Sequence, residues 1–339
     1  MTEALAALSG NRIVGCLAGC VVTMILSSSS AASVIVITFV ESELLTFQQC
    51  LGVLLGVNIG TTLTGHLVAI KLTKYAWHMV AAGFFAVFFA KSKQTKQKAE
   101  IFHGLGLLFV GMEVMGNSMA PLQSYQPFRD MLASMEDVPL GIGAATVFTV
   151  LIQSSSAATG VIITVAQQGL LTAKAGLALM LGANIGTCGT ACLAAIGKKR
   201  ETVQVALAYL LFKLIGVALT VAVMQEFTDA VIDTTMPSEL AGFLRENGTE
   251  CGEGCVDPAA GLGEAVPKFL ANCHTVFNIL LAVILLPFTP QLAGLVERFV
   301  DQLPGEWSAA PTRPNGKGSR ASGRRPSRSP SRTRGAKSS

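Results

Sequence analysis

The chain carries one polar pattern twice, and this repetition constrains its fold more than any other feature. Ser28-Ser29-Ser30-Ala31-Ala32 precedes Gly56-Val57-Asn58-Ile59-Gly60-Thr61, and the same pair of patterns returns at 154–158 and 182–187. Residues 27–64 align with 153–190 without a gap, and about half of the aligned positions are identical. The shared register argues against two chance serine clusters and predicts an internal duplication.

The composition predicts an all-α integral membrane protein. The chain is 51% hydrophobic and 14% charged, with a mean hydropathy of +0.54, whereas soluble domains carry about 25% charged residues. Met1–Arg12 lacks the basic start and the apolar stretch of a cleavable signal peptide. Because about 20 apolar residues cross a bilayer, we predict conventional spanning helices in Tyr75–Ala90, Ile101–Met119, Thr202–Met224 and Phe269–Phe288.

The first repeat predicts a re-entrant helical hairpin followed by a broken transmembrane helix. Val14–Leu26 enters, the serine cluster turns, and Ser33–Val40 returns. A second helix then begins at Leu44 and is expected to break at Asn58–Thr62. Hydroxyl-rich interruptions of apolar helices are how membrane carriers build a polar site near the bilayer midplane.

The second repeat predicts the same two units. Leu140–Ile152 enters, Gln153–Ser156 turns, and Ala157–Ala166 returns. The following helix begins at Leu170 and is expected to break at Asn184–Thr187. Glycines beside these breaks are expected to permit bends and close packing rather than to bind ligand.

The distribution of basic residues predicts that the two repeats are inverted. Lysines and arginines are concentrated at 91–98, at 198–200 and in the tail after Pro311, which the positive-inside rule assigns to the cytoplasm. A re-entrant hairpin leaves the membrane on the side from which it entered. The first hairpin is therefore expected to enter from the cytoplasm and the second from outside.

The remaining segments predict a polar loop outside and a disordered tail inside. Cys251 and Cys255 are candidates for a disulfide in an extracytoplasmic loop, where Asn247 begins a glycosylation sequon. The other six cysteines lie in apolar stretches and are expected to be packing residues. The tail 308–339 is rich in Ser, Arg, Pro and Gly, so we predict disorder and attraction to anionic lipid rather than nucleic-acid binding.

The serine and threonine clusters offer two kinds of binding chemistry. Hydrocarbon cannot satisfy irregular backbone, so the interruptions must line a cavity or lie buried in protein. Hydroxyl and carbonyl oxygens suit a hard cation such as sodium, and the exposed N–H groups of a returning helix suit an anion. The alternative is purely structural, because Ser and Thr in membrane helices often only cap or bond a neighbouring helix.

Gln153-Ser154-Ser155-Ser156-Ala157 followed by Gly182-Ala183-Asn184-Ile185-Gly186-Thr187 resembles the signature of the sodium-dependent phosphate cotransporters, the type II family and its bacterial relatives. The resemblance covers about 1–225 and 268–290. It implies sodium-driven uptake of inorganic phosphate at a site formed by both serine clusters and Gln153. It further implies sodium ligands among Ser29, Ser30, Gln153, Ser155 and Ser156. With the residues of the second kind of break and Lys213, the predicted binding set is Ser28, Ser29, Ser30, Asn58, Thr61, Thr62, Gln153, Ser154, Ser155, Ser156, Asn184, Thr187 and Lys213.

Two positions depart from the family pattern. Ser27 stands where the first repeat of the family usually has Gln, which puts ion affinity on that side in question. Lys213 ends Tyr209-Leu210-Leu211-Phe212-Lys213, where relatives often read His-x-x-Phe-Asn, whereas 274–278 keeps that pattern. A lysine in mid-span must face water or an anion. Lys213 is expected to pair with phosphate or to substitute for a bound cation; the alternatives are pairing with Glu226 and snorkelling.

The first repeat also lacks a counterpart of the helix at Ile101–Met119, which suggests a missing first spanning segment. The expected organisation is 1–98 for the first repeat, 99–225 for the second, 226–267 for the extracytoplasmic loop, 268–290 for the final helix and 308–339 for the tail.

The sequence predicts a multi-pass symporter, most plausibly of the plasma membrane, that imports phosphate with sodium as co-substrate and no other cofactor. Its expected partners are phosphate, sodium and the lipid bilayer, and a homodimer is left open. The alternatives are a carrier for another anion, a proton-coupled carrier and a truncated relative that does not transport. An enzyme is not expected, since no nucleotide loop or catalytic constellation stands out.

Overall fold

The computed structural model describes residues 11–70, 72–246 and 258–302, and these residues form helices and no strand. In chain order the α-helices are α1 (Arg12–Leu26), α2 (Ser29–Glu41), α3 (Phe47–Ala69), α4 (Ala76–Phe89), α5 (Lys93–Met119), α6 (Gln126–Ser134), α7 (Val138–Ile152), α8 (Ser155–Gln167), α9 (Ala173–Gly186), α10 (Cys188–Ala195), α11 (Arg200–Ala222), α12 (Met224–Thr235), α13 (Ser238–Glu246), α14 (Pro258–Leu285) and α15 (Thr289–Asp301). Short 3₁₀ turns lie at Thr73–Tyr75 and Ala120–Ser124.

The helices confirm the predicted all-α membrane class. Among the described residues, five segments are long and apolar enough to cross a bilayer: Phe47–Ala69, Lys93–Ser124, Ala173–Ala195, Arg200–Ala222 and Gly261–Leu285. The span predicted at Tyr75–Ala90 appears as α4, whose 14 residues give a helix of about 21 Å, shorter than the bilayer core. Its exposed aromatic rings, such as Phe88 and Phe89, suit contact with lipid rather than with water.

The first hairpin consists of α1 and α2, which together turn back after one short excursion. Their 15 and 13 residues correspond to about 22 and 20 Å, so neither helix reaches across a bilayer. Ser27 at the tip is left-handed, with φ of 50°, and reverses the chain. The Ser28 hydroxyl then accepts a hydrogen bond from the Ala31 N–H and caps α2.

The second hairpin consists of α7 and α8 and repeats this geometry. Gln153 at its tip is left-handed, with φ of 59°. The Ser154 hydroxyl accepts from the Ala157 N–H and caps α8. Both turns are tighter than predicted, because the second and third serines of each cluster already belong to the returning helix.

The predicted break in the first repeat is wrong. α3 runs without interruption through Asn58–Thr62. The Thr61 and Thr62 hydroxyls donate to the carbonyls of Val57 and Ile59 at 2.8 Å each, so the hydroxyls find partners within an intact helix. In the second repeat an interruption does occur, at Thr187 between α9 and α10.

The glycines of the repeats allow close packing rather than bends. α1 lies beside α3 in the same direction, and a Cβ built on Gly56 would overlap the carbonyl oxygen of Cys16. α7 lies beside α9 in the same way, where a Cβ on Gly182 would overlap the carbonyl oxygen of Ile142. Removing one methyl group at each position therefore brings two helix backbones together.

The two hairpins enter from opposite ends of α3. Near the beginning of α3, Gly52 lies against the backbone of Arg12, at the base of the first hairpin. Near its end, the carbonyl of Val68 accepts a hydrogen bond from the side chain of Gln167, at the base of the second hairpin. The base of the first hairpin also meets the basic segment before α11, where the Lys199 ammonium donates to the Glu41 carbonyl at 3.0 Å.

Other boundaries differ from the predictions. The segment 226–267 contains most of α12, all of α13 and the start of α14, and α14 ends at Leu285 rather than 290. Polar segments of this kind carry too little apolar periodicity to be recognised as helices in the sequence. Six cysteines are free thiols, in agreement with their predicted packing role: Cys16, Cys20, Cys50, Cys188, Cys192 and Cys273. The predictions for Asn247, Cys251, Cys255 and the tail lie outside the described residues.

Candidate functional site

The tips of the two hairpins meet inside the protein. The hydroxyl oxygens of Ser29 and Ser155 lie 3.0 Å apart and share a hydrogen bond, although 126 positions separate them in the chain. These are equivalent residues of the two repeats, and they are 2% and 8% exposed. Each lies in the first turn of its returning helix, where backbone N–H groups lack intrahelical acceptors. Two positive helix ends therefore converge on one buried point.

A small cavity of about 10 Å³ lies at this point. Many of the predicted binding residues line it: Ser29, Asn58, Thr61, Ser155, Asn184, Thr187 and Lys213. Thr159, Ala183 and His274 complete the lining. The cavity holds one water-sized species, so phosphate, with five non-hydrogen atoms, does not fit in this conformation.

The other predicted binding residues do not line this cavity. Ser28 and Ser154 are helix caps, and Thr62 is bonded to its own helix. Gln153 accepts a hydrogen bond from Thr190 at 2.9 Å, which ties the tip of the second hairpin to α10. Ser30 and Ser156 lie beside the meeting serines, outside the lining.

Two equivalent threonines present oxygen acceptors to the cavity. Thr61 donates its hydroxyl proton to the carbonyl of Val57 at 2.8 Å, and Thr187 donates to the carbonyl of Ala183 at 2.9 Å. With their protons engaged, both oxygens retain lone pairs for another partner. Neutral oxygens in this arrangement are ligands for a hard cation rather than for an anion.

α11 connects the two repeats through a pair of equivalent asparagines. The Tyr209 hydroxyl donates to Asn58 Oδ1 at 2.8 Å, and the Lys213 ammonium donates to Asn184 Oδ1 at 2.9 Å. Lys213 is 1% exposed and also donates to Asn278 Oδ1 at 3.2 Å. Its burial excludes snorkelling, and Glu226 is exposed and makes no ion pair with it.

Several polar atoms in the cavity wall have no partner within the described part of the chain. They include Asn58 Nδ2 and His274 Nδ1, both on buried side chains. His274 was not in the predicted binding set, although its pattern with Asn278 had marked it as a candidate for the cavity wall. Buried polar atoms without partners are costly, and they indicate that something polar occupies this space in another state.

A larger cavity of about 550 Å³ lies beyond one wall of the site. It is lined by the end of α3, the end of α12 and the first half of α14, including His66, Lys268 and Asn272. His66 Nε2 and the Thr275 hydroxyl are hydrogen bonded at 2.8 Å, and Gly65 lies close to His274 of the small cavity. The contact between α3 and α14 therefore separates the two cavities.

Within the described residues, no group of three or more His, Cys, Asp or Glu side chains is placed to hold a metal ion. What the site offers instead is a set of neutral oxygens, two helix N-termini and one ammonium group. This combination suits the binding of an anion together with a hard monovalent cation.

Comparison with known proteins agrees with this chemistry. An uncharacterized protein of Bacillus subtilis, YqeW, is 30% identical over 284 residues, which cover 83% of this chain and 82% of that protein. The putative inorganic phosphate export protein YjbB of Salmonella typhimurium is 27% identical over 231 residues, covering 67% of this chain. Only 42% of that export protein is matched, so the chain spans less than half of its length.

A human protein, sodium-dependent phosphate transport protein 2B, is 38% identical over 60 residues, which cover 18% of this chain and 9% of that protein. No solved structure matches the chain significantly. The model of the Na+/Pi-cotransporter family matches residues 1–117 and 121–236, which include both hairpins and the lysine-bearing helix α11. The resemblance seen in the duplicated serine pattern is thereby confirmed, and the chain belongs to the Na+/Pi-cotransporter family.

Proposed function

We propose that the protein is a sodium-coupled symporter that moves inorganic phosphate across the membrane by alternating access. The observation that carries this proposal is the buried contact between Ser29 and Ser155, at which both hairpins present their helix N-termini. Family membership supports phosphate transport, and it favours a transporter over an enzyme.

The anion is bound where the donors converge. N–H groups of the first turns of α2 and α8, the amide of Asn58 and the ammonium of Lys213 all belong to the wall of one cavity. The positive ends of the two helices favour negative charge at the same point. A phosphate at the site would give acceptors to donors that otherwise have none.

Sodium is bound by the oxygens beside the anion. Thr61 and Thr187 provide hydroxyl oxygens whose protons are already donated, and Ser29 and Ser155 provide two more. A bound cation offsets part of the charge of the phosphate, so each ligand raises the affinity for the other. This mutual dependence is the basis of coupled transport.

The closed cavity represents an occluded conformation. Its volume of about 10 Å³ excludes phosphate, so loading requires the hairpins to separate from their neighbours. The larger cavity behind His66 lies on the side away from the basic segments at 91–98 and 198–200. We assign this side to the exterior, with the basic tail in the cytoplasm and the protein in the plasma membrane.

Under an inward sodium gradient the coupled flux is uptake. The names of the bacterial relatives favour a second candidate, phosphate export. In a symporter these are the same cycle run in opposite directions, since the net direction follows the combined gradients. Reversing the sodium gradient is therefore expected to reverse the phosphate flux.

The test is labelled phosphate flux into liposomes that contain the purified protein. An inward sodium gradient is expected to drive uptake, whereas an equal potassium gradient is not. Ser155→Ala is expected to abolish the sodium-driven flux, and Ser134→Ala, an exposed serine that bonds only to its own helix, serves as the matched control.

Three outcomes contradict the proposal in different ways. Flux driven by a proton gradient alone contradicts sodium coupling, and full competition by sulfate contradicts selectivity for phosphate. A protein that moves no anion under any gradient is not a transporter by itself. Normal flux in Ser155→Ala contradicts the assignment of the site.

A further inference from the structure

Lys213 is a buried cation without a counter-ion in this part of the protein. Its ammonium group donates to two neutral amide oxygens, Asn184 Oδ1 at 2.9 Å and Asn278 Oδ1 at 3.2 Å. Within the described residues it makes no ion pair and no third hydrogen bond, although an ammonium carries three N–H donors. A buried charge that lacks compensation is strongly unfavourable. The missing partner must then be a ligand with negative charge.

The surroundings of the ammonium are those of a small cation site. The cavity that holds Lys213 also contains the side-chain oxygens of Thr187 and Ser155. Asn278 donates its own Nδ2 to the carbonyl of His274 at 2.8 Å, which turns its oxygen toward the lysine. The group bound by these neutral oxygens is therefore positive, compact and attached to the protein.

The chain itself supplies a neutral counterpart of Lys213. Tyr209-Leu210-Leu211-Phe212-Lys213 and His274-Thr275-Val276-Phe277-Asn278 share the central phenylalanine and the spacing, and their last residues are hydrogen bonded to each other. One pattern ends in a cation and the other in a neutral amide. The difference between the two is one unit of positive charge beside the bound anion.

We propose that Lys213 is a built-in cation that takes the place of one sodium ion in the transport cycle. The inference rests on phosphate binding at the proposed site, and it determines how many free cations must accompany the anion. Replacing the ammonium by a neutral amide opens a place among the same oxygens for an additional sodium ion. The wild-type protein thus binds phosphate with fewer sodium ions than its neutral variant.

The decisive measurement is the ratio of labelled sodium to labelled phosphate carried into liposomes by wild type and by Lys213→Asn. The variant is expected to carry about one sodium ion more per phosphate, because one positive charge has been removed beside a buried anion. Lys98→Asn, which removes an exposed lysine of the basic segment, is expected to keep the wild-type ratio. An unchanged ratio in Lys213→Asn overturns the proposal.

A measurement on the wild type alone decides the case in which the variant does not fold or transport. Inorganic phosphate is added to the detergent-solubilised protein in buffer free of sodium, and the thermal midpoint is followed. Phosphate is expected to raise the midpoint without sodium, because Lys213 supplies a cation and a ligand that binds the folded state stabilises it. The absence of any shift until sodium is added overturns the proposal.

These results separate the inference from the proposed function. If wild type moves phosphate without carrying sodium, sodium coupling fails. The inference then still predicts that Lys213→Asn acquires sodium dependence. If wild type carries both ions and Lys213→Asn has the same ratio, the inference alone fails.

Discussion

The two repeats place equivalent asparagines on one helix, yet they give them chemically different partners. Asn58 of the first repeat accepts a hydrogen bond from the neutral hydroxyl of Tyr209, whereas Asn184 of the second accepts from the ammonium of Lys213. The amide nitrogen of Asn184 is also engaged, at 3.1 Å from the carbonyl of Met180, while that of Asn58 has no partner. The second half of the site is tightly bonded around a charge, and the first half retains a free donor.

This difference teaches that duplication fixed the backbone of the site but not its electrostatics. The hairpins, caps and left-handed tips are equivalent in both repeats, because their sequences are nearly the same. The asymmetry comes from α11, which lies outside the aligned segments and contacts both asparagines. A symmetric scaffold thus acquires one charged half through a single neighbouring helix.

The largest effect is expected from truncating the asparagines. Asn184→Ala removes an acceptor from a buried ammonium and is expected to destabilise the protein by about 1.5–3 kcal/mol, while Asn58→Ala leaves a neutral hydroxyl unpaired and costs about 1–2 kcal/mol. Asn184→Ala is also expected to abolish sodium-driven phosphate flux. Thermal midpoints in detergent and flux in liposomes measure the two effects. Equal losses in both variants would show that the charge of Lys213 is immaterial.

Glycine substitutions compare the packing of the two repeats. Gly56→Ala and Gly182→Ala are each expected to cost about 1–3 kcal/mol, because overpacking forces backbones apart. The larger loss is expected for Gly56→Ala, whose added methyl group overlaps the neighbouring carbonyl more deeply. Gly104→Ala, where nothing lies within 4 Å, is the control and is expected to be neutral or stabilising. The thermal midpoint decides, and the reverse order contradicts this packing.

The helix caps are expected to respond equally. Ser28→Ala and Ser154→Ala each remove an equivalent cap, at a cost of about 1 kcal/mol. Threonine at either position is expected to restore most of the stability, since its hydroxyl caps as well. Thermal midpoints of the four variants test this expectation. A twofold or greater difference between the repeats would mean that the caps are not equivalent.

The smallest effects are expected at the hairpin tips. Gln153→Ala loses the hydrogen bond to Thr190 and is expected to cost about 1 kcal/mol. Ser27→Ala is expected to change little, because the exposed Ser27 hydroxyl reaches only the carbonyl of Met24, at 3.4 Å. Comparison of the two thermal midpoints tests whether only the second tip is tied to its neighbour. A larger loss at Ser27 would contradict this view.

The repeated pattern was enough to predict both hairpins and most of the cavity wall. Paired serine clusters in apolar helices predict capped returning helices, and Ser28 and Ser154 do cap them. The same reasoning failed at Asn58–Thr62, where hydroxyls and glycines look like a break. Those hydroxyls bond within their own helix and the glycines admit a neighbouring backbone, neither of which depends on a local sequence signal.

The sequence alone determined the membrane class, the duplication, the opposed orientation expected from charge and the family resemblance. These properties follow from composition, periodicity and register, which are local or additive along the chain. Only the tertiary structure decided that Ser29 touches Ser155, and that Lys213 lies between Asn184 and Asn278 rather than beside Glu226. Such contacts join residues far apart in the chain, and they depend on how whole helices pack, which no short segment encodes.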